Sequence, residues 1–116
     1  MQTTSTHNVI SSGRVEGTSV YNEAGDKLGS IDGLIIDKVS GKVQYAVLKF
    51  GGFLGMNTDR YPIPWGMLKY NTTQEGYVVL LDKAKLESAP SYAEVDAPAY
   101  TSEYARRVIS HYGVEL

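Results

Sequence analysis

Apolar residues in this chain recur at two spacings, and the change from one to the other divides the sequence. Between Gly17 and Asp82 the apolar runs are short, rich in Val, Ile and Tyr, and separated by clusters of Gly, Asn, Asp and Ser. Ten of the twelve glycines fall between Gly17 and Gly76. Runs of that length broken so often predict strands and tight turns, not helices. Thr18–Tyr21 and Lys27–Asp37 read as strands joined through Asn22-Glu23-Ala24-Gly25-Asp26, where Asn starts the turn and Gly25 supplies a positive φ. Gly29 and Gly33 lie four apart, which by two-residue alternation puts both on one face, where a strand can coil or a second backbone approach. Lys42–Phe50 is apolar on both faces, with Val43, Tyr45 and Val47 against Ala46, Leu48 and Phe50, as a doubly covered strand requires. Arg60–Trp65 contains Pro62 and Pro64, which cannot donate to a ladder, so it is expected at an edge or as an extended crossing segment that Met67–Tyr70 continues. Tyr77–Asp82 alternates as a last strand. The expected fold is mainly β: a small antiparallel β-barrel of five or six strands, closed or half closed, with a short C-terminal α-helix.

Outside that region the texture differs. The first dozen residues are mostly Thr, Ser, Asn and Gln and read as a flexible leader, with Val9 and Ile10 able to add a short edge strand. Lys83–Glu87 is expected to form one helical turn, followed by a linker containing Pro90 and Pro98. Thr101 or Ser102 caps a helix running to about Tyr112, with Gly113 just past its end. Tyr104, Val108 and Tyr112 recur at i, i+4 and i+8, so that helix has one apolar face in need of a partner. The organisation is thus leader 1–12, barrel 13–87, and linker with helix 88–116.

Composition narrows the function. With 11 basic and 13 acidic residues, the net charge of −2 provides no basic footprint for nucleic acid. The absence of cysteine removes disulfides, thiolate metal sites and a thiol nucleophile. No stretch of about 18 apolar residues is present to span a bilayer, and the start has neither a basic nor an apolar signal region, so a cytoplasmic protein is expected. His7 and His111 are too few and too isolated for a zinc site. Asp26, Asp32, Asp37, Asp59 and Asp82 are spread over turns and strand ends as solvated carboxylates, with no calcium-loop spacing. Neither histidine is placed beside a serine with an orienting carboxylate, and no cofactor motif is present, so catalysis is not expected.

What remains is docking. Gly51-Gly52-Phe53-Leu54-Gly55-Met56-Asn57 either presents Phe53, Leu54 and Met56 as an apolar tip or folds them back to plug a barrel mouth. It lacks the Gly-Lys-Ser/Thr ending of a phosphate loop. Tyr61 to Trp65 is either a peptide groove or core closure, with Ile63 and Trp65 inward and Tyr61 partly exposed. The candidate interaction surface is therefore Phe53, Leu54, Met56, Tyr61, Trp65, Tyr104, Val108 and Tyr112, with a second copy of the chain as one possible partner.

The run Gly17 to Ile31 resembles the opening hairpin of the PRC-barrel family, named from the photosynthetic reaction-centre H subunit. Gly33–Asp37, Gly41–Phe50 with Gly51-Gly52, Pro62-Ile63-Pro64-Trp65 and Tyr77–Leu81 resemble that family's later strands in the same order. The resemblance implies a PRC-type barrel without catalytic residues that assembles or adapts macromolecular complexes. It points to a stand-alone bacterial member, with a stress-related role among the expectations. The maturation-factor branch of the family implies an alternative, a ribosome- or RNA-associated assembly factor. The H-subunit branch implies another, a peripheral adaptor of a membrane electron-transfer complex.

Overall fold

The computed structural model describes residues 9–50 and 59–114. Short α1 (Ser12–Val15) leads into β1 (Ser19–Tyr21), β2 (Lys27–Ile36) and β3 (Val43–Phe50). β4 (Asp59–Pro64) passes through a 3-10 turn at Trp65–Met67 to β5 (Leu68–Asn71), and β6 (Gly76–Val79) follows. Then come α2 (Lys83–Glu87), the two-residue β7 (Tyr92–Ala93), a 3-10 turn at Glu94–Asp96 and α3 (Ser102–Tyr112).

Short polar side chains bend the chain at its corners. Asn22 Oδ1 accepts the Asp26 backbone N–H at 2.9 Å and closes the first hairpin. Asp37 Oδ1 accepts from the N–H groups of Ser40 at 2.8 Å and Val39 at 2.9 Å, and these two donors hold its carboxyl below the ordinary carboxylate value. Asp82 caps α2 by accepting from the Lys85 N–H at 2.7 Å, and Thr101 caps α3 by accepting from the Tyr104 N–H at 3.2 Å. Gly113, in the left-handed conformation, ends α3. Both helices at the C-terminal side therefore lie where the sequence places them. Near the N-terminus Val9 and Ile10 are exposed and join no strand; α1 follows them instead, and seats the buried Val15.

The strands form one sheet in the order β5-β6-β1-β2-β3-β4-β7. Mainly β is correct, but among the described residues the count is seven strands, and their hydrogen-bonded order is an open one ending at β5 and β7. Nor is the sheet wholly antiparallel, because β6 lies parallel to β1, pairing Val20 with Tyr77 and Tyr21 with Val78. The β5–β6 hairpin returns to the free side of β1, a position that no sequence-adjacent pairing predicts. Gly76 permits the approach: a Cβ there would meet the Ser19 carbonyl oxygen at 2.7 Å and the Tyr21 ring at 2.9 Å.

β2 and β3 carry the longest ladder, and a bulge interrupts it between Ile31 and Gly33. Asp32 is the extra residue, so counting by twos from Gly29 to Gly33 does not carry across it. The two glycines differ accordingly. A Cβ on Gly29 would overlap the Lys49 carbonyl oxygen, whereas one on Gly33 would meet nothing within 4 Å. β3 buries Tyr45, Ala46, Val47 and Leu48 in succession, as a strand covered on both faces must. In β4, Pro62 and Pro64 are buried opposite Val47 and Tyr45. β7 pairs only with Asp59 and Arg60, so the proline half of β4 has no second strand beside it among the described residues.

Gly29→Ala should cost about 1–3 kcal/mol by forcing the β2–β3 backbones apart, while Gly33→Ala should fall within about 1 kcal/mol of the parent. Urea unfolding of the two variants measures the difference.

Candidate interaction surface

Arg60 is the polar centre of the domain. It sits on β4 opposite Lys49, with its side chain 7% exposed. Its Nε donates to Asp32 Oδ2 at 3.0 Å, reaching past β3 to the bulge of β2. A terminal guanidinium nitrogen lies 3.0 Å from Glu94 Oε2 on the segment after β7. One cation therefore ties β2, β4 and the linker together. Asp32, expected as a solvated carboxylate, is instead a partly covered partner of a buried arginine. The bulge accounts for the difference, since the extra residue is what re-aims this side chain.

A second cluster joins α3 to the sheet through tyrosines. Tyr100 lies 5.5 Å from Tyr45 of β3 and 5.1 Å from Tyr104 of α3, ring centre to ring centre. The Tyr92 and Tyr100 hydroxyls share a hydrogen bond of 2.7 Å. Arg107 stacks over Tyr104 with its guanidinium carbon 5.7 Å from the ring centre. At the other end of α3 the His111 Nε2–H donates to the Lys85 carbonyl at 2.9 Å. The hydroxyls of Tyr45, Tyr104 and Tyr112 are buried without a hydrogen-bond partner among the described residues. Burial pushes the Tyr104 phenol up to about 12, with the neighbouring Tyr92 hydroxyl adding to it. Burial also raises Tyr45, Tyr100 and Tyr112.

The residues singled out by sequence are thereby separated. Tyr61 is buried, edge-on to Phe50 with ring centres 5.3 Å apart, and belongs to the core rather than lying partly exposed. Tyr104, Val108 and Tyr112 are buried against the domain's own sheet. Trp65 is half-buried over Tyr77, ring centres 5.5 Å apart. Phe53, Leu54 and Met56 lie outside the described residues.

The structure adds two residues that periodicity passed over. Tyr70 meets Tyr77 edge-on at 5.2 Å and is 48% exposed, and Leu80 is 64% exposed. Trp65, Tyr77 and Tyr70 form an aromatic row beside β5, the terminal strand of the sheet. On the other face of the β5–β6 hairpin, Met67, Leu80, Leu81 and Tyr112 line a groove of about 490 Å³ that Lys69 and Lys85 also border. Exposed Tyr70 next to a paired strand was the available signal, but only the β5–β6 register brings it over Tyr77. Among the described residues no helix is long and apolar enough to cross a membrane, and no group of three His, Asp or Glu side chains is placed to hold a metal ion.

The PRC-barrel domain family matches residues 7–86, more than half of the chain, and the chain belongs to that family. No curated protein matches the sequence.

Two measurements test this geometry. Asp32→Asn, which weakens a charge-assisted bond to a buried cation, should cost about 1–3 kcal/mol, whereas Glu94→Gln, at a largely exposed position, should stay within about 1 kcal/mol in the same urea series. The buried tyrosines set the alkaline limit. Their folded pKa values lie above the unfolded value of 10, so the folded state holds its phenol protons more tightly. Their contribution is complete below about pH 10 and is lost as pH rises through about 12. Phenolate absorbance followed together with circular dichroism should show these tyrosines ionising only as the sheet unfolds.

Proposed function

We propose that the protein is a non-enzymatic interaction module whose partner docks against the Trp65–Tyr77–Tyr70 row and the free side of β5. Membership of the PRC-barrel family supports an interaction module in general. The observation that carries the specific surface is Tyr70, 48% exposed and edge-on to the buried Tyr77, on the strand that ends the sheet. Aromatic side chains offer large contact area at small entropic cost, which is why they anchor interfaces. Lys69, exposed in the middle of the four-residue β5, discourages indiscriminate strand pairing and favours recognition through side chains.

A photo-crosslinking amino acid in place of Tyr70, introduced into the full chain in its native cells, should give one discrete adduct. The same amino acid at Val39, an exposed site on the turn between β2 and β3, should give none. Trp65→Ala, at the other end of the row, should abolish the Tyr70 adduct while the circular dichroism of the sheet is retained. Adducts that survive Trp65→Ala in a folded chain, or that appear equally from Val39, would remove this surface from consideration.

A further inference from the structure

The groove on the far face of the β5–β6 hairpin is assembled from separate parts of the chain. The hairpin side supplies Met67, Lys69 and Leu80, α2 and its cap supply Lys85 and Asp82, and the end of α3 supplies Tyr112. Its volume of about 490 Å³ falls in the range of small-ligand sites. The floor is apolar. Met67 packs against the core together with Leu81 and Val114, which also line the groove, and Tyr112 is buried. Leu80, 64% exposed, leaves apolar surface open to a ligand.

Two lysines border this floor, and the backbone of each is held. Lys69 lies in the paired part of β5, opposite Val78. The Lys85 N–H donates to Asp82 Oδ1 at 2.7 Å, while its carbonyl accepts from the His111 Nε2–H at 2.9 Å and from the Ser88 hydroxyl at 3.1 Å. Among the described residues neither lysine forms an ion pair. Asp82, the acidic residue of the lining, already accepts the Lys85 N–H as the cap of α2. The groove thus combines an apolar floor with an excess of positive charge at its edge. That combination suits a molecule apolar along its length and anionic at one end.

We propose that this groove binds a single-chain aliphatic carboxylate, its hydrocarbon against Met67, Leu80, Leu81 and Val114 and its carboxylate between Lys69 and Lys85. At the rim the carboxylate keeps its access to water while gaining the attraction of two ammonium groups. Apolar contact therefore supplies the affinity, and the lysines supply the orientation. The site shares no side chain with the Trp65–Tyr77–Tyr70 row, so the crosslinking result and this one fail independently.

Decanoate, titrated into the full chain below its micelle concentration, provides the test. The methyl resonances of Met67, Leu80, Leu81 and Val114 should shift to saturation while those of Val39, on the β2–β3 turn, stay in place. Neutral decanol should bind about threefold to tenfold more weakly, and decyltrimethylammonium more weakly still. Octanoate should bind at least about threefold more weakly than decanoate, because it buries fewer methylenes. These comparisons use the parent chain and do not depend on a variant folding. Lys69→Gln with Lys85→Gln should bring decanoate and decanol within about twofold of each other. Leu80→Asp, at an exposed position, should weaken decanoate at least about tenfold with the circular dichroism unchanged. Shifts that do not saturate or that spread to Val39, or equal affinity of the parent for decanoate and decanol, overturn the proposal. Binding to phosphatidylglycerol vesicles that Leu80→Asp abolishes, without any response to decanoate, also overturns it and assigns the groove to a membrane surface. Movement of the same methyl resonances on dilution of the chain alone overturns it in favour of a second copy.

Discussion

The pairing of β2 with β3, interrupted at Asp32, is the constraint on which the other contacts of this domain rest. On one side of the bulge, Gly29 lets the Lys49 carbonyl come closer than any side chain would allow, which draws the two strands into a tight, twisted ladder. On the other side the ladder resumes one residue out of step, and the displaced Asp32 meets Arg60 from β4. A buried guanidinium is tolerable only where carboxylates compensate it. Asp32 does so from within the sheet, and the largely exposed Glu94 adds a second, weaker carboxylate from the linker. Without the bulge, the Asp32 carboxylate would no longer be aimed at Arg60.

The readable and unreadable parts of the fold divide along sequence distance. α3 was legible almost to the residue, because Thr101, the Tyr104–Val108–Tyr112 spacing and Gly113 act within a few positions of one another. The hairpins of β1–β2 and β2–β3 were legible for the same reason, through Asn22 and Asp37. The bulge was not, since one extra residue in a strand leaves the apolar alternation of Ile31, Leu34 and Ile35 open to either face. Nor was the parallel seat of β6 on β1, which depends on Gly76 meeting a backbone more than fifty positions earlier.

The site followed the same division. Aromatic residues announced an interaction domain by their number and spacing, but their assignment to inside or outside needed the register. Tyr61 and Tyr70 are alike in composition and in neighbours along the chain, yet one lies against Phe50 in the core and the other stands at the sheet's edge. Arg60 gave no signal at all, since a lone arginine between Asp59 and Tyr61 reads as surface until Asp32 and Glu94 are brought to it. Family resemblance supplied the fold as a whole and none of these particulars.

The parallel contact between β1 and β6 also dictates the order in which the sheet can be completed. β1 to β4 form a meander whose partners are near in sequence and close quickly, while β6 must return across the whole of β3, β4 and β5 before it finds Val20 and Tyr21. A chain emerging from the ribosome therefore holds one side of β1 open until residues past Val79 are free. Tyr70 and Tyr77 meet when the local β5–β6 hairpin closes, and the later pairing of β6 with β1 fixes them to the rest of the sheet.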